Sequence, residues 1–332
     1  MTWFEDLTAI PEQETDQLRR DLRMEGDSLV SQANGSRWHV GSLETPSLQE
    51  LRERTANIGI LHDNKLSVSE VIADAQSLHA DPDNSGALFQ VASQFNLLEM
   101  AGPHVTPEDG VGIYQHDRTQ GPACAVAAGA GTIYRNYFVP VDGQIGQTEE
   151  RQIDCIAELG RALSKDRAPP WVMQNGYLIA DETALGTISE VIGGSSEAER
   201  DRLRGLLRIG IQKHTEVTLA GCGHRVTQAY CSALPISYNH QPVELWEPFA
   251  RLVLEATYEA TLRAALINRH ETGNATVYLT FVGGGVFGNR AHWILDSLQR
   301  ALDLHRTVGL DVRIVSYGGS KDTVQSIVRD YH

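Results

Sequence analysis

The sequence contains no apolar run long enough to cross a bilayer. Its opening residues, MTWFEDLTAIPEQ, lack the basic and apolar stretches of a secretory signal. Its four cysteines, Cys124, Cys155, Cys222 and Cys231, never occur as CxxC. That spacing argues against a disulfide frame or a zinc knuckle and points to free thiols in a reducing, cytoplasmic setting. Positive charge is short: 28 Lys and Arg stand against 43 Asp and Glu, a formal net charge of -15. Such a balance disfavours binding to nucleic acid, which wants a basic face. Also missing are HExxH, GxSxG and GxxxxGK[ST], so no zinc peptidase, serine esterase or Walker signature is present. No metal or cofactor is expected, since GCGH (221–224) near Cys231, a metal half-site in form, is better explained by core and loop roles.

What is present is a 332-residue chain with 41% hydrophobic residues, enough for a large core. Residues 12–30 and 67–80 carry spaced apolar residues that predict helices, so 1–80 reads as a helical region. Residues 80–86, ADPDNSG, form a loop by composition. Beyond it the pattern alternates. Strands are predicted at 87–93, 226–238, 275–282 and 311–317, and helices at 121–138, 148–165, 195–212, 243–269, 290–306 and 320–331. A hairpin turns at Asn175-Gly176. Alternating strands and helices predict a parallel or mixed sheet covered on both faces.

Two loops carry the chemistry. VGGGVFGN (282–289) lies between a strand and a helix, where bare backbone amides and the helix dipole favour an anion. Val286 and Phe287 within it are placed to pack over a sugar or base. QVASQFNLLEM (90–100) ends a buried strand with the polar set Ser93, Gln94 and Asn96. The long loop that follows holds the carboxylates Glu99, Glu108, Asp109 and Asp117. Long loops in compact domains are usually functional, and ligands of α/β folds sit outside the carboxyl ends of strands.

Strand–ASQFN–long loop, then strand–GGGVFGN–helix–strand–SYGG, resembles the macrodomain superfamily. It is most similar to the arginine-specific ADP-ribosyl hydrolase branch that includes the bacterial effector MavL. The motifs fall within 87–138 and 226–332. SQFN stands where most macrodomains have NAAN, and VTPEDGVGIYQHDRTQG replaces a glycine run. The GGG-x₆₋₈-QEE signature of poly(ADP-ribose) glycohydrolases is absent, which disfavours chain cleavage. The resemblance implies a macrodomain-like three-layer α/β/α sandwich with a mixed sheet over residues 81–332, and an added N-terminal helical extension over 1–80 packed on it.

It further implies an enzyme that removes mono-ADP-ribose from arginine side chains of modified proteins by hydrolysing the N-glycosidic bond. The partners are then ADP-ribose and an arginine-linked ADP-ribosylated protein, with neither nucleic acid nor membrane. ADP-ribose contacts are expected from Ser93, Gln94, Phe95, Asn96 and Gln120. The second loop adds Gly283, Gly284, Gly285, Val286, Phe287, Gly288 and Asn289, and Tyr317 stacks near the adenine. Asp109, Asp117 and Glu99 are the expected catalytic carboxylates, one activating water and another facing the guanidinium. His104 and His116 flank them. Two rival readings share the phosphate loop: a non-catalytic ADP-ribose-binding module, and a hydrolase of another ADP-ribose or NAD-derived linkage.

Overall fold

The computed structural model describes residues 1–58, 65–165 and 168–331. Seven stretches pair into one sheet: Ser42–Glu44 (β1), Ser67–Ile72 (β2), Leu88–Ala92 (β3), Gly210–Glu216 (β4), Arg225–Cys231 (β5), Thr276–Leu279 (β6) and Asp311–Ser316 (β7). Their order is β1-β4-β5-β3-β6-β7-β2. β4 runs antiparallel to both neighbours, and every other pairing is parallel. The central strands β5, β3 and β6 therefore present their carboxyl ends side by side.

Alternation along each strand sends side chains to two cores. In β6, Val277 and Leu279 face the larger core while Tyr278 joins Phe89 and Val226 in a second cluster. Phe89 stacks on Tyr278 at 4.7 Å and on His79 of the helix Ala75–Ala80 at 3.9 Å. Across the larger core lies the helix Glu247–Thr272, ended by Gly273 at φ +80°. It contacts β3, β5 and β6 as well as the helices Leu48–Asn57 and Ala291–Leu304. Helices Gln120–Ala127 and Gly129–Tyr137 cover the opposite face. This is the three-layer α/β/α sandwich with a mixed sheet that the sequence pattern implied.

Residues 1–80 differ from the helical region expected. They contribute five strands, and β1 and β2 form the two edges of the large sheet. Residues 12–30 contain one helix, Thr15–Asp21, followed by a hairpin of Leu22–Glu25 and Ser28–Ser31 turning at Gly26. Residues 67–80 contain β2 and then the helix Ala75–Ala80. In windows this short, spaced apolar residues fit both periods, and long-range pairing decides. The helix expected over 148–165 is confined to Ala157–Leu163, and that over 195–212 ends at Gly205, before β4. The Asn175-Gly176 hairpin forms, both residues at positive φ.

One buried charge cluster ties the helical layer together. Glu259, 1% exposed on the long helix, accepts from Arg52 Nε at 2.7 Å, Arg52 Nη2 at 2.9 Å and Arg300 Nη1 at 3.0 Å. Burial alone would raise its carboxyl, but these arginines hold it down at about 2. A carboxylate depressed in the folded state stabilises fully above its unfolded value and loses that contribution as pH falls toward the folded one. Glu259→Gln is expected to lower unfolding free energy by about 3 kcal/mol near neutral pH, since it removes the buried carboxylate and leaves Arg52 and Arg300 with Asp201 as their shared acidic partner. Denaturant melts should show the gap to wild type shrinking between pH 5 and 2, whereas a pH-independent gap would assign the loss to packing.

Candidate functional site

A cavity of about 240 Å³ opens at the carboxyl ends of β3, β5 and β6. Its floor comes from Ala92, Ser93 and Gln94 after β3, and one wall from Glu99, Met100 and Asp117. Gly283, Gly285, Val286 and Phe287 after β6 form another wall, with Tyr177 and Tyr238 packed against Phe287.

The glycine loop has a separate reason for each glycine. Gly283 and Gly288 have φ of +77° and +75°, and a Cβ would lie 2.4 Å from Ala233 Cβ in the first and 2.1 Å from Ser237 Oγ in the second. These two serve close packing. Gly285 lines the cavity with nothing within 4 Å of its Cβ direction. Gly284 is exposed and does not line the cavity. Asn289, expected to contact ligand, instead shuts the loop: its Nδ2 donates to Leu234 O at 2.8 Å and its amide to Gly283 O at 2.9 Å. Among the described residues, the amides of Gly285, Val286 and Phe287 donate to no protein acceptor. Three consecutive free amides before the helix Ala291–Leu304 make an anion cradle.

The first loop is tighter than its composition suggests. Gln94 binds both backbone groups of Met100: its Oε1 accepts from Met100 N at 2.9 Å and its Nε2 donates to Met100 O at 3.3 Å. Leu97 turns the chain at φ +66°. Glu99 is thereby aimed into the cavity, 3% exposed, with neither carboxyl oxygen hydrogen-bonded among the described residues. Arg135 Nη2 lies 4.0 Å from it, too far for a hydrogen bond. Burial therefore outweighs the cation and pushes the Glu99 carboxyl up to about 8. Arg135 is itself fully buried, lying 3.6 Å over the Tyr230 ring and donating to Leu97 O and Thr132 Oγ1, both at 3.1 Å. Asp117, half-buried, lines the rim and accepts from Thr119 N at 2.8 Å.

Other expected residues are placed elsewhere. Asp109 is exposed, accepts from Thr106 N at 2.8 Å to close a 3₁₀ turn, and lines a separate depression with Glu12 and Arg19. Its expected catalytic role is thereby corrected to a capping one. Asn96 is buried beneath the loop, bonded to Gln152 Oε1 and Leu98 N, and Phe95 belongs to the hydrophobic core. Gln120 lines the cavity but spends its amide on Ala92 N, Gln90 O and Cys124 Sγ. Its side chain therefore secures the strand end. Ser93 keeps its place in the lining, its hydroxyl donating to Gln94 O. Tyr317 is 77% exposed and outside the lining. Neither His104 nor His116 lines the cavity. In GCGH, His224 Nε2 lies 2.8 Å from His79 O, and no acidic, His or Cys group is arranged for a metal among the described residues.

Sequence reading missed Tyr177, Tyr238, Arg135 and Lys321. The first two pack with Phe287 at ring distances of 4.8, 5.6 and 5.8 Å, placing an aromatic wall on the cavity. Lys321 Nζ lies 4.8 Å from the ring of Phe281, another lining residue. Arg135 carried a signal, being the one basic residue in the small-residue helix 129–137.

No family model matches the chain, and no curated protein is similar to it in sequence. Among solved structures, poly(ADP-ribose) glycohydrolase from Thermomonospora curvata has 12% identity and a TM-score of 0.46, with 99% of each chain covered. The same enzyme bound to the inhibitor ADP-HPD gives 13% and 0.44. Poly(ADP-ribose) glycohydrolase from Deinococcus radiodurans, in complex with ADP-ribose, gives 11% and 0.43, covering 87% of this chain and 94% of that one. Among the described residues no helix is long and apolar enough to cross a membrane.

The cradle is directly testable. Gly285→Glu sets a negative side chain in open space, so the fold is expected to survive while ADP-ribose affinity falls by roughly two orders of magnitude or more. Calorimetry on the folded variant checks this, and undiminished binding would remove the loop from the anion site.

Proposed function

We propose that this chain binds ADP-ribose in the cavity and hydrolyses the N-glycosidic bond joining it to an arginine side chain, releasing mono-ADP-ribose. The observation that carries the reading is one cleft with two opposed chemistries. Three free amides in its lining suit a diphosphate, and Glu99 and Asp117 line the same cavity. A site for an anion alone gains nothing from carboxylates, whereas an anion joined to a cationic guanidinium uses both.

In this reading Asp117, at the rim, meets the guanidinium, with the aromatic wall of Tyr177, Tyr238 and Phe287 beside it. Glu99, deeper, takes a proton from water as its oxygen bonds to C1 of the distal ribose and the C1–N bond breaks. The arginine leaves as a neutral guanidine and recovers a proton from Glu99, so charge and atoms balance. A base whose proton affinity lies near the working pH suits both transfers. Because the unprotonated form is the active one, kcat/KM is expected to rise with pH and level off above about 8. Glu99→Gln should cost roughly 10²–10⁴ in kcat and leave ADP-ribose affinity nearly unchanged. A pH profile that stays flat in wild type, or a fully active variant, would remove Glu99 from the reaction.

The linkage itself is tested with matched peptides carrying ADP-ribose on arginine, serine or glutamate. A carboxylate facing a guanidinium contributes about 1.5–3 kcal/mol, against about 0.5–1.5 kcal/mol for a neutral hydrogen bond, so arginine should be preferred roughly tenfold. Asp117→Asn should narrow that preference. Equal rates on all three would refute arginine selectivity, and binding without any hydrolysis would leave an ADP-ribose-binding module.

A further inference from the structure

The loop that brings Asp117 to the cavity is gripped from outside by the first twelve residues. Glu12 spans two consecutive amides: Val111 N–H donates to Oε1 and Gly112 N–H to Oε2, each at 2.7 Å. Tyr137 Oη donates to Oε1, also at 2.7 Å. Trp3 adds a second grip, its Nε1 donating to Val111 O at 2.9 Å while Gln115 Oε1 accepts its backbone amide at 2.8 Å. Both backbone groups of Val111 are thus bonded to the N-terminal segment.

The loop is shaped to receive this carboxylate. A Cβ at position 110 would lie 2.6 Å from Glu12 Cδ, and one at 112 would lie 2.5 Å from Glu12 Oε2. Gly110 and Gly112 thereby explain the GVG spacing in PEDGVGIY. The turn that starts there, Gly112–His116, also holds the backbone of two cavity residues. Tyr114 Oη accepts the amide of Glu99 at 3.1 Å, and Tyr114 O accepts that of Asp117 at 3.1 Å. One short turn therefore joins Glu12 on its outer side to both cavity carboxylates on its inner side.

We infer that residues 2–12 are a strap that holds this loop in register, with Glu12 the positioning residue for Asp117 and Glu99. Only the activity readout of this inference rests on the hydrolase reading. Glutamine at position 12 presents one oxygen and one NH₂ where two N–H groups need acceptors, so it sets donor against donor at nearly constant size.

The test uses the full-length Glu12→Gln protein, with amide exchange followed across 110–117, ADP-ribose binding by calorimetry and turnover of an ADP-ribosyl-arginine peptide. Losing a charge-assisted contact is expected to speed exchange in this loop roughly ten- to a hundredfold and lower kcat about tenfold. ADP-ribose affinity should hold, because the anion cradle belongs to a different loop. Unchanged exchange would overturn the strap. A loop that opens while kcat per folded molecule stays at the wild-type value would overturn the positioning role and leave a purely structural contact. If Glu12→Gln does not fold, Tyr137→Phe removes one of the three bonds and should give a smaller change in the same direction. Wild-type protein inactive on every linkage would sink the hydrolase reading, and the exchange comparison would still decide the strap.

Discussion

The cavity depends on a single side-chain amide. Gln94 binds the N–H and C=O of Met100 as a neighbouring strand would, and so closes a turn in which Leu97 takes a left-handed conformation. That closure points Glu99 inward with no donor at either oxygen. Gly176 has to be bare because a Cβ there would lie 2.5 Å from Asn96 Cγ and 2.7 Å from Gln94 Cβ. The hairpin carrying Tyr177 is thus pressed onto the same turn. A raised carboxyl, an aromatic wall and a strained residue all follow from that one closure.

The helices and the N-terminal segment supply the rigidity behind it. Phe4, Ile10, Leu18 and Leu22 share a buried cluster with Leu98, Met100, Val111 and Tyr114. The loop that looks long and acidic in sequence is therefore apolar on its inner side. Its charges divide between a cap (Asp109), a backbone contact to Glu149 (Glu108) and the cavity (Asp117).

Much of the architecture was legible. Strands β3, β5, β6 and β7 and the long helix follow their hydrophobic patterns. The turn between β6 and the helix that follows was legible too, although two of its four glycines, Gly283 and Gly288, serve close packing. Edge strands β1 and β2 were not, since each acquires its conformation from a partner hundreds of residues distant or nearly so. In the site, residue type showed that carboxylates were present but not which were already bonded. Asp109 and Gln120 look free in a sequence and are occupied in the fold, while Arg135 stands out in its small-residue helix but gains a meaning only once Glu99 is seen beside it.

The strand order has a consequence for how the chain is made. β2 pairs with β7 alone, with Ser67 opposite Asp311 and Ile72 opposite Ser316. On a chain emerging from its N-terminus, β2 appears early and its partner almost last. Closing so large a loop is slow, and an unpaired strand is open to wrong partners while it waits. Lys65–Leu66 and the helix Ala75–Ala80 on either side leave that strand only six residues long. Its brevity limits what a nascent neighbour could pair with before the native strand arrives.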